Sequence, residues 1–458
     1  MSEPIGGSGP GMKLHTKILI GLLVGAVLGI TANTVLGGDA PLVEGINKYV
    51  AGPAGQIFLR LLFMIVIPLV FSSIALGVAG LGDLKRVGRI GGKAVVYFFT
   101  TTALAATLGL FIVSFVRPGE RIDPEVRAQL METYATDASS KVEAAATSDF
   151  GIQTLVNVVP RNPFKSAVDL DLLGIIFFGI IFGAALTMIA ADRAKPMLAV
   201  LQAINDAVIK IVEMAMRLAP YGVAALIFGV TSRFGFDVLR LLGWYVAVVL
   251  GALFIHVAVN ISLIIRFLVG MSPLIFFGRV RSALLTAFST SSSSATLPTA
   301  LATAEDNLGI PPQIAGFVLP LGSTMCMNGT ALFEGITVIT LAQAFGVELG
   351  LGQMVAVMVM SVITAVGAAG VPGGSIPLLV GVLTMFGVPA EGIAIVLGVD
   401  RILDMSRTTV NVCGDLSATA WVAKSEGVWN ASMVPAQAGQ LEGGISLDDS
   451  PDWPKSKV

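Results

Sequence analysis

The sequence predicts an all-α polytopic membrane protein: eight transmembrane helices plus two re-entrant helical hairpins arranged as inverted repeats. Three observations carry this reading. First, of 458 residues, 55% are hydrophobic and only 13% are charged, whereas soluble domains carry roughly 25% charged residues. Second, about eight apolar runs approach or exceed the roughly 20 residues that a spanning helix needs. Third, two further apolar stretches are interrupted near their middles by small, hydroxyl or helix-breaking residues. The composition also excludes several functions. A net charge of −2 offers no basic field for nucleic acid. Two cysteines, Cys326 and Cys413, sit in apolar stretches, so neither a disulfide framework nor a Cys-rich zinc site is expected. With His15 and His256 as the two histidines, His-based metal sites and Ser-His-Asp hydrolysis are disfavoured.

The expected spans run 18–35, 57–80, 94–116, 172–191, 208–230, 238–268, 314–344 and 393–422. The first is uncharged and long enough to span, and the opening Gly/Ser segment lacks the basic region of a cleavable signal peptide, so none is expected. Lys13 and Lys17 before span one, Lys85, Arg86, Arg89 and Lys93 after span two, Arg193 and Lys195 after span four, and Arg279 and Arg281 after span six alternate as a cytoplasmic N-terminus requires. Eight spans then return the C-terminus to the cytoplasm. Residues 117–163 read as an external polar loop, and the acidic tail after Glu426 as a disordered cytoplasmic end. The interrupted stretches are 273–302 and 352–387, each followed by a span. Paired broken segments of this kind point to a transporter site at the interface of inverted repeats.

Four constellations carry the chemistry. Ser289 to Ser294 are six consecutive hydroxyl residues, followed by Ala295-Thr296-Leu297-Pro298, in the middle of an apolar stretch. Backbone that leaves the helix at membrane depth must be buried or line a water cavity, and N–H groups at a helix start suit a carboxylate; the alternative is a polar surface loop. Gly322-Ser323-Thr324-Met325-Cys326-Met327-Asn328-Gly329-Thr330 would unwind a span and turn carbonyls toward a cation. Glu334, one turn beyond Thr330, is an intramembrane carboxyl placed to carry a proton, unless it sits at the interface. Gly367 to Ser375 holds four glycines and Pro372 inside a charge-free run from Leu349 to Ala390, as a hairpin tip or a kinked span. Finally, Asp400, Asp404, Arg407, Asn411 and Asp415 follow i, i+4, i+7, i+11, i+15 and fall within roughly an 80° arc of one helix. Such a stripe cannot face lipid, so it faces a binding cavity or pairs internally.

Together, SSSSATLPT, MNGTALFEG, VPGG and DRILDMSRTTVNVCGD resemble the glutamate transporter family, the dicarboxylate/amino acid:cation symporters, over essentially the whole chain. The resemblance implies a multi-pass cell-membrane protein in contact with lipid, a homotrimer and an elevator mechanism. It divides the chain into helices 1–3 (1–116), an extracellular loop and the start of helix 4 (117–171), helices 4–6 (172–269), a transport core (270–425) and a cytoplasmic tail (426–458). It implies a symporter, not an enzyme, for L-aspartate or L-glutamate, coupled to sodium ions, protons or both, with no organic cofactor; the alternative is a C4-dicarboxylate symporter of the same family. By matching position, Arg407 would bind the substrate's side-chain carboxylate, assisted by Thr330. Asp404 and Thr408 would take its ammonium. Asn411 and the backbone at Ser292 and Ser293 would hold its α-carboxylate, and the tip containing Val371 and Gly373 would close over it. Asp415 with main-chain oxygens of Gly322, Cys326 and Asn411 resembles one sodium site, and main-chain oxygens of Thr324, Ala365, Val366 and Ala368 a second. A third family site, with Tyr97, Thr100 and Thr101, has an Asp and an Asn where this chain has Asn328 and Cys326. Fewer than three sodium ions are therefore expected. Glu334 matches a proton-carrying position. Arg401 lies one turn from the position where some members place an arginine, so both residues are assigned to proton coupling. An intramembrane hydrolase lacks a paired base here, and no pore-loop repeat supports a channel.

Overall fold

The computed structural model describes residues 14–80, 84–121, 159–168, 172–368, 370, 372–389 and 392–434. Val371, most of the external loop and the tail beyond residue 434 lie outside them. The described residues form helices and turns with no β-strand. In chain order these are α1 (Leu14–Leu36), α2 (Pro41–Ile46), α3 (Gly52–Phe63), α4 (Val66–Gly80), α5 (Leu84–Val116), α6 (Pro163–Val168), α7 (Leu172–Met188), α8 (Ala191–Phe234), α9 (Asp237–Ile255), α10 (Pro273–Thr290), α11 (Ser293–Ala302), α12 (Pro312–Met325), α13 (Asn328–Ala344), α14 (Leu351–Gly367), α15 (Ile376–Met385) and α16 (Ile393–Ser425). A wide-turn segment, Asn47–Ala51, joins α2 to α3, and two more, His256–Ile261 and Ile264–Val269, extend α9. The chain is an all-α polytopic membrane protein.

Two expectations about spans are corrected. The second span is not one rod over 57–80: α3 ends at Phe63 and α4 begins at Val66. The expected fifth span, 208–230, is the middle of the 44-residue helix α8. Arg193 and Lys195, read as loop residues, belong to its first turns, because good helix formers such as Ala, Leu and Lys let the helix run on past the apolar region.

α1 lies along α8 because of a small-residue face. A Cβ at Gly21, Gly25 or Gly29 would overlap the Pro220 carbonyl, the Ala224 carbonyl or the Thr231 hydroxyl. Spacing of small residues by four lets two backbones approach where water supplies no driving force between helices. α8 also packs on α3 and α4, and these helices leave many large apolar side chains exposed, including Leu23, Val27, Leu28, Ile57 and Tyr221.

The second half folds differently. α10 ends where Ser291 adopts the left-handed conformation (φ 53°, ψ 31°), and the chain reverses into α11. The helical path breaks again between α12 and α13, where Cys326 (φ −90°, ψ 78°) and Met327 (φ −109°, ψ 49°) leave helical dihedrals. A third break follows α14: Ala368 is extended, Gly373 has φ +74°, and α15 starts at Ile376 with a proline in its first turn. α16 runs unbroken beside α10, α12 and α13. Its end is tied down. Lys424 Nζ donates to the Leu268 carbonyl (2.9 Å), Trp429 Nε1 to the Leu308 carbonyl (2.8 Å), and Arg89 and Lys93 of α5 grip Glu426 at 2.5 and 2.6 Å.

Candidate functional site

The breaks meet in the middle of the molecule. The tip between α10 and α11 touches the tip between α14 and α15: the Gly370 carbonyl accepts from Ser292 Oγ (2.6 Å) and Ser294 N (3.2 Å). A small cavity lies beneath. Ser291 and Ser293 line it from one tip, and Ala368, Gly370 and Ser375 from the other. Met327 and Thr330 close the α13 side, and Asp404, Arg407, Thr408 and Asn411 the α16 side. The N-termini of α11 and α15 reach the cavity, and their free N–H groups and dipoles favour anionic groups.

The charged stripe of α16 forms one buried cluster. Arg407 Nε lies 3.1 Å from Asp404 Oδ1 and its Nη1 3.0 Å from Asp400 Oδ1. The Phe333 ring sits 4.2 Å beneath the guanidinium, a cation–π contact. Asp404 Oδ2 accepts from Gly373 N (3.0 Å), so the second tip is fastened to the cluster. Arg401 is a weaker partner, with Nη1 3.7 Å from the same oxygen. All four charged side chains are buried. Two carboxylates and two guanidiniums balance, which is the condition for keeping charges out of water.

The structure brings together Ser293, Thr330, Asp404, Arg407, Thr408 and Asn411 as expected, with Gly373 just beyond them. The Ser292 hydroxyl caps α11 through Ala295 N (3.1 Å) and donates to the Gly370 carbonyl (2.6 Å), outside the cavity lining. Ser291 and Ser375 were missed. Each is buried, lines the cavity and has a hydroxyl without a hydrogen-bond partner. Their only sequence signals are membership of the serine run and a place directly after the Pro-Gly-Gly tip. Asp400, placed on the stripe but given no role, is a direct partner of Arg407. The Asn411 side chain is held in place: its Oδ1 accepts from Gly329 N (2.8 Å) and its Nδ2 donates to Thr330 Oγ1 (3.1 Å).

Around Asp415 the residues suit a cation. Its Oδ1 is buried with no partner, and it packs so tightly on Gly322 that a Cβ there would lie 2.5 Å from that oxygen. Hard cations take such carboxylate and carbonyl oxygens. The C-terminal ends of α12, with Thr324, and of α14, with Ala365, Val366 and Ala368, lie side by side and present carbonyls. The Asn328 region is different. Its Oδ1 is already within 3.2 Å of Thr101 Oγ1 and 2.8 Å of Thr102 Oγ1. The Tyr97 hydroxyl is turned to Ser417 (2.7 Å), and the Tyr97 carbonyl accepts from Thr101. Thr100 is corrected: it is exposed, pointing away from Asn328, and Thr102 takes its place. Thr100 and Thr102 are two residues apart, about 200° of helix rotation, which puts them on opposite faces. With Oδ1 shared by two hydroxyls, the oxygens here leave little for an ion, although Asn328 Nδ2 is buried without a partner.

Glu334 does not line the cavity. It is fully buried on α13, with Oε2 2.5 Å from Thr364 Oγ1 and Oε1 unpartnered.

The sequence is similar to those of known proteins. The chain is 36% identical over 427 residues to a proton/sodium-glutamate symport protein of Bacillus subtilis (strain 168), covering 93% of this chain and 94% of that one. It is 36% identical over 406 residues to the proton/glutamate-aspartate symporter of Escherichia coli (strain K12), covering 88% and 92%. It is 33% identical over 452 residues to excitatory amino acid transporter 2 of Rattus norvegicus, covering 88% and 78%. A family model described as the sodium:dicarboxylate symporter family matches residues 14–425. With the broken helices and the buried charge cluster within the matched span, the chain belongs to the sodium:dicarboxylate symporter family.

Proposed function

We propose that the protein is a secondary active symporter of L-aspartate or L-glutamate, driven by sodium ions and protons. The observation that carries this reading is the buried Asp400–Asp404–Arg407 cluster at the wall of a cavity reached by two helix N-termini. An acidic amino acid fits by exchange of partners. Its side-chain carboxylate takes the Arg407 guanidinium, a planar fork suited to bidentate contact. Asp404, released from Arg407, takes the ammonium together with Thr408. The α-carboxylate meets the start of α11 and Asn411. Every charge stays paired, so no lone buried ion is left. Pairing of Asp404 with Gly373 couples occupancy to closure of the second tip.

Sodium is a co-substrate here. Asp415 with the carbonyls of Gly322, Cys326 and Asn411 would hold one ion, and the carbonyls of Thr324, Ala365, Val366 and Ala368 a second as the tip closes. The Asn328 region holds none, because its amide oxygen is already shared by two hydroxyls and no carboxylate offsets an ion's charge. Glu334 carries a proton instead, with Arg401 near the charge cluster adjusting the balance. The core of α10 to α16 moves as an elevator against α1, α3 and α8 in a homotrimer, with both termini cytoplasmic. The mostly apolar seam of Ile18, Phe58 and Met216 against Ile376 and Leu397, with Asp400 and Arg401 at its wall, supports such a sliding contact.

A second reading, a C4-dicarboxylate symporter, is favoured by one observation: Asp404 already has partners in Arg407 and Gly373 and needs no ammonium. Uptake of labelled aspartate into proteoliposomes, with sodium and proton gradients imposed one at a time, tests the proposal. Uptake driven by either gradient, with weak competition by succinate, is the expected result. Equal competition by succinate and aspartate selects the second reading. A fitted stoichiometry of three sodium ions and no proton, unchanged in Glu334→Gln, refutes the coupling scheme.

A further inference from the structure

Along α13, Glu334, Thr337, Thr340 and Gln343 are successive i, i+3 neighbours, a polar ridge on a helix whose residues are otherwise almost all apolar or small. Glu334, Thr337 and Thr340 are at most 1% exposed. Buried polar atoms without partners are rare and costly, yet three lie here: Glu334 Oε1, Thr340 Oγ1 and, on the facing helix α14, Ser361 Oγ. We propose that the hydroxyls of Thr337 and Thr340, flanked by Tyr245 and Ser361, form a relay carrying protons between Glu334 and the membrane face at the C-terminal end of α13. The inference rests on the reading of Glu334 as a proton carrier.

The geometry supports each link. Adjacent i, i+3 side chains stand about 5–6 Å apart, a gap that one water bridges between two hydroxyls. A hydroxyl both donates and accepts, so it can take a proton on one side while giving one up on the other. Thr337 Oγ1 donates to the Phe333 carbonyl (2.7 Å) and lies 2.8 Å from the Tyr245 hydroxyl, so a proton passes the middle of the ridge only as these two hydroxyls reorient. Beside Glu334, Gly335 faces Ser361: a Cβ at that glycine would be 3.7 Å from Ser361 Oγ, and no other atom approaches it within 4 Å. At the far end Gln343 is half-buried, with its carbonyl accepting from Gly119 N (3.1 Å) and its amide reaching the Val113 carbonyl (3.5 Å). Gln343 positions water there rather than passing the proton itself.

The opposite exit, through the substrate cavity, is obstructed. Thr330, one turn before Glu334, has its hydroxyl engaged by the Asn411 amide. Beyond it stands the Arg407 guanidinium, stacked on Phe333. A fixed positive charge opposes a passing proton, as in pores that exclude protons with an arginine. The ionisable groups on the elements packed against α13 agree with this direction. α16 contributes Asp400, Arg401, Asp404 and Arg407, of which Asp404 and Arg407 line the cavity and Asp400 and Arg401 the seam toward α1, α3 and α8. α9 contributes Tyr245, within the ridge. The turn after α5 contributes Glu120, paired with Arg117 at the far end. Arg89 and Lys93 lie at the other end of α5, while α14 and α15 carry no ionisable residue. In the forward direction a solvent proton enters near Gln343, successive O–H bonds form and break along Thr340 and Thr337, and an O–H bond forms on Glu334 Oε1. Release reverses the sequence after the core of α10 to α16 has moved and carried the mouth of the relay to the other side, with no change of oxidation state.

Hydrogen–deuterium exchange of the Glu334 carboxyl reads the relay directly. In lipid-reconstituted protein, the C=O stretch of the protonated Glu334 is identified by infrared difference against Glu334→Gln, and its shift is timed after transfer to D2O. Thr340→Val keeps the shape and removes a hydroxyl that has no partner, so the fold is preserved. It should slow the exchange by about a hundredfold, the lower range for losing a positioned proton-transfer group, and Thr340→Ser should restore it. Ser361→Ala should slow it less. Exchange at the wild-type rate in both Thr340→Val and Thr337→Val overturns the relay while leaving Glu334 as the carrier. Absence of any band lost in Glu334→Gln overturns the carrier reading and the relay with it.

Discussion

α1 and α13 are both apolar helices of a membrane protein, and they solve opposite problems. In the most apolar stretch of α1 only 22% of residues are buried inside the protein, whereas every residue from Met325 to Ala342, nearly all of α13 and the break before it, is buried. α1 meets lipid on most of its surface and needs one intimate face, supplied by Gly21, Gly25 and Gly29. α13 meets protein all round, and therefore it can carry Asn328, Thr330, Glu334, Thr337 and Thr340. Hydropathy alone would rank α1 as the more typical membrane helix. Burial identifies α13 as the one built around chemistry, because polar groups at membrane depth persist only where protein surrounds them.

The contrast can be broken by mutation. Arg407→Cys should abolish acidic amino-acid uptake, since it strands Asp400 and Asp404 without their guanidinium; removing one member of a buried ion cluster costs about 3–5 kcal/mol. Uptake at wild-type affinity would remove Arg407 from substrate recognition. Asp404→Asn should weaken amino-acid binding by about 2–5 kcal/mol, the range for truncating a buried charge pair. Calorimetric titration with aspartate measures it, and the loss should be much smaller for succinate. On the lipid-facing side, Gly25→Leu should separate α1 from α8 and destabilise the fold by about 1–3 kcal/mol or more, as overpacking does. The readout is a lower unfolding temperature in detergent, while the aspartate affinity of protein still folded is unchanged.

The smallest expected effect lies outside the membrane-spanning part. Hydrogen bonds from Arg89 first, then Lys93, hold the Glu426 carboxyl at about 2, below its ordinary value of 4.5. A carboxylate whose pKa is depressed in the folded state stabilises that state above the ordinary value and loses this contribution as pH falls toward the folded one. The clasp should therefore be intact at neutral pH and weaken between 4.5 and about 2. Thermal melts across that window should show a fall in wild type that is shallower in Glu426→Gln. High salt should diminish the difference, because Arg89 is exposed.

Much of this was readable from residues alone. The α16 stripe was legible because three aspartates, an arginine and an asparagine at helical spacing have one physical interpretation in a membrane. The three breaks were legible because runs of serine, glycine and proline cannot continue a helix in lipid. Other features had no such signal. The length of α8 was hidden, since its polar first turns look like a loop by composition although they are helical by propensity. Ser291 rather than Ser292 lines the cavity because of a left-handed turn that six successive hydroxyls do not locate. Thr102 rather than Thr100 meets Asn328 because helix rotation within the packed core, not side-chain type, decides the partner. Tyr245 is one hydroxyl in a run of apolar residues, and its pairing with Thr337 depends on two helices far apart in sequence.

The anchoring of α16 bears on how reporters are attached. Lys424, Glu426 and Trp429 each bond to a different part of the core, the last of them through an indole that is 2% exposed. A fluorescent protein joined before Trp429 would sever the Trp429–Leu308 contact that braces the segment following α11. Joined after Val434, the same reporter leaves all three contacts in place, so its signal follows the transporter rather than a frayed helix end.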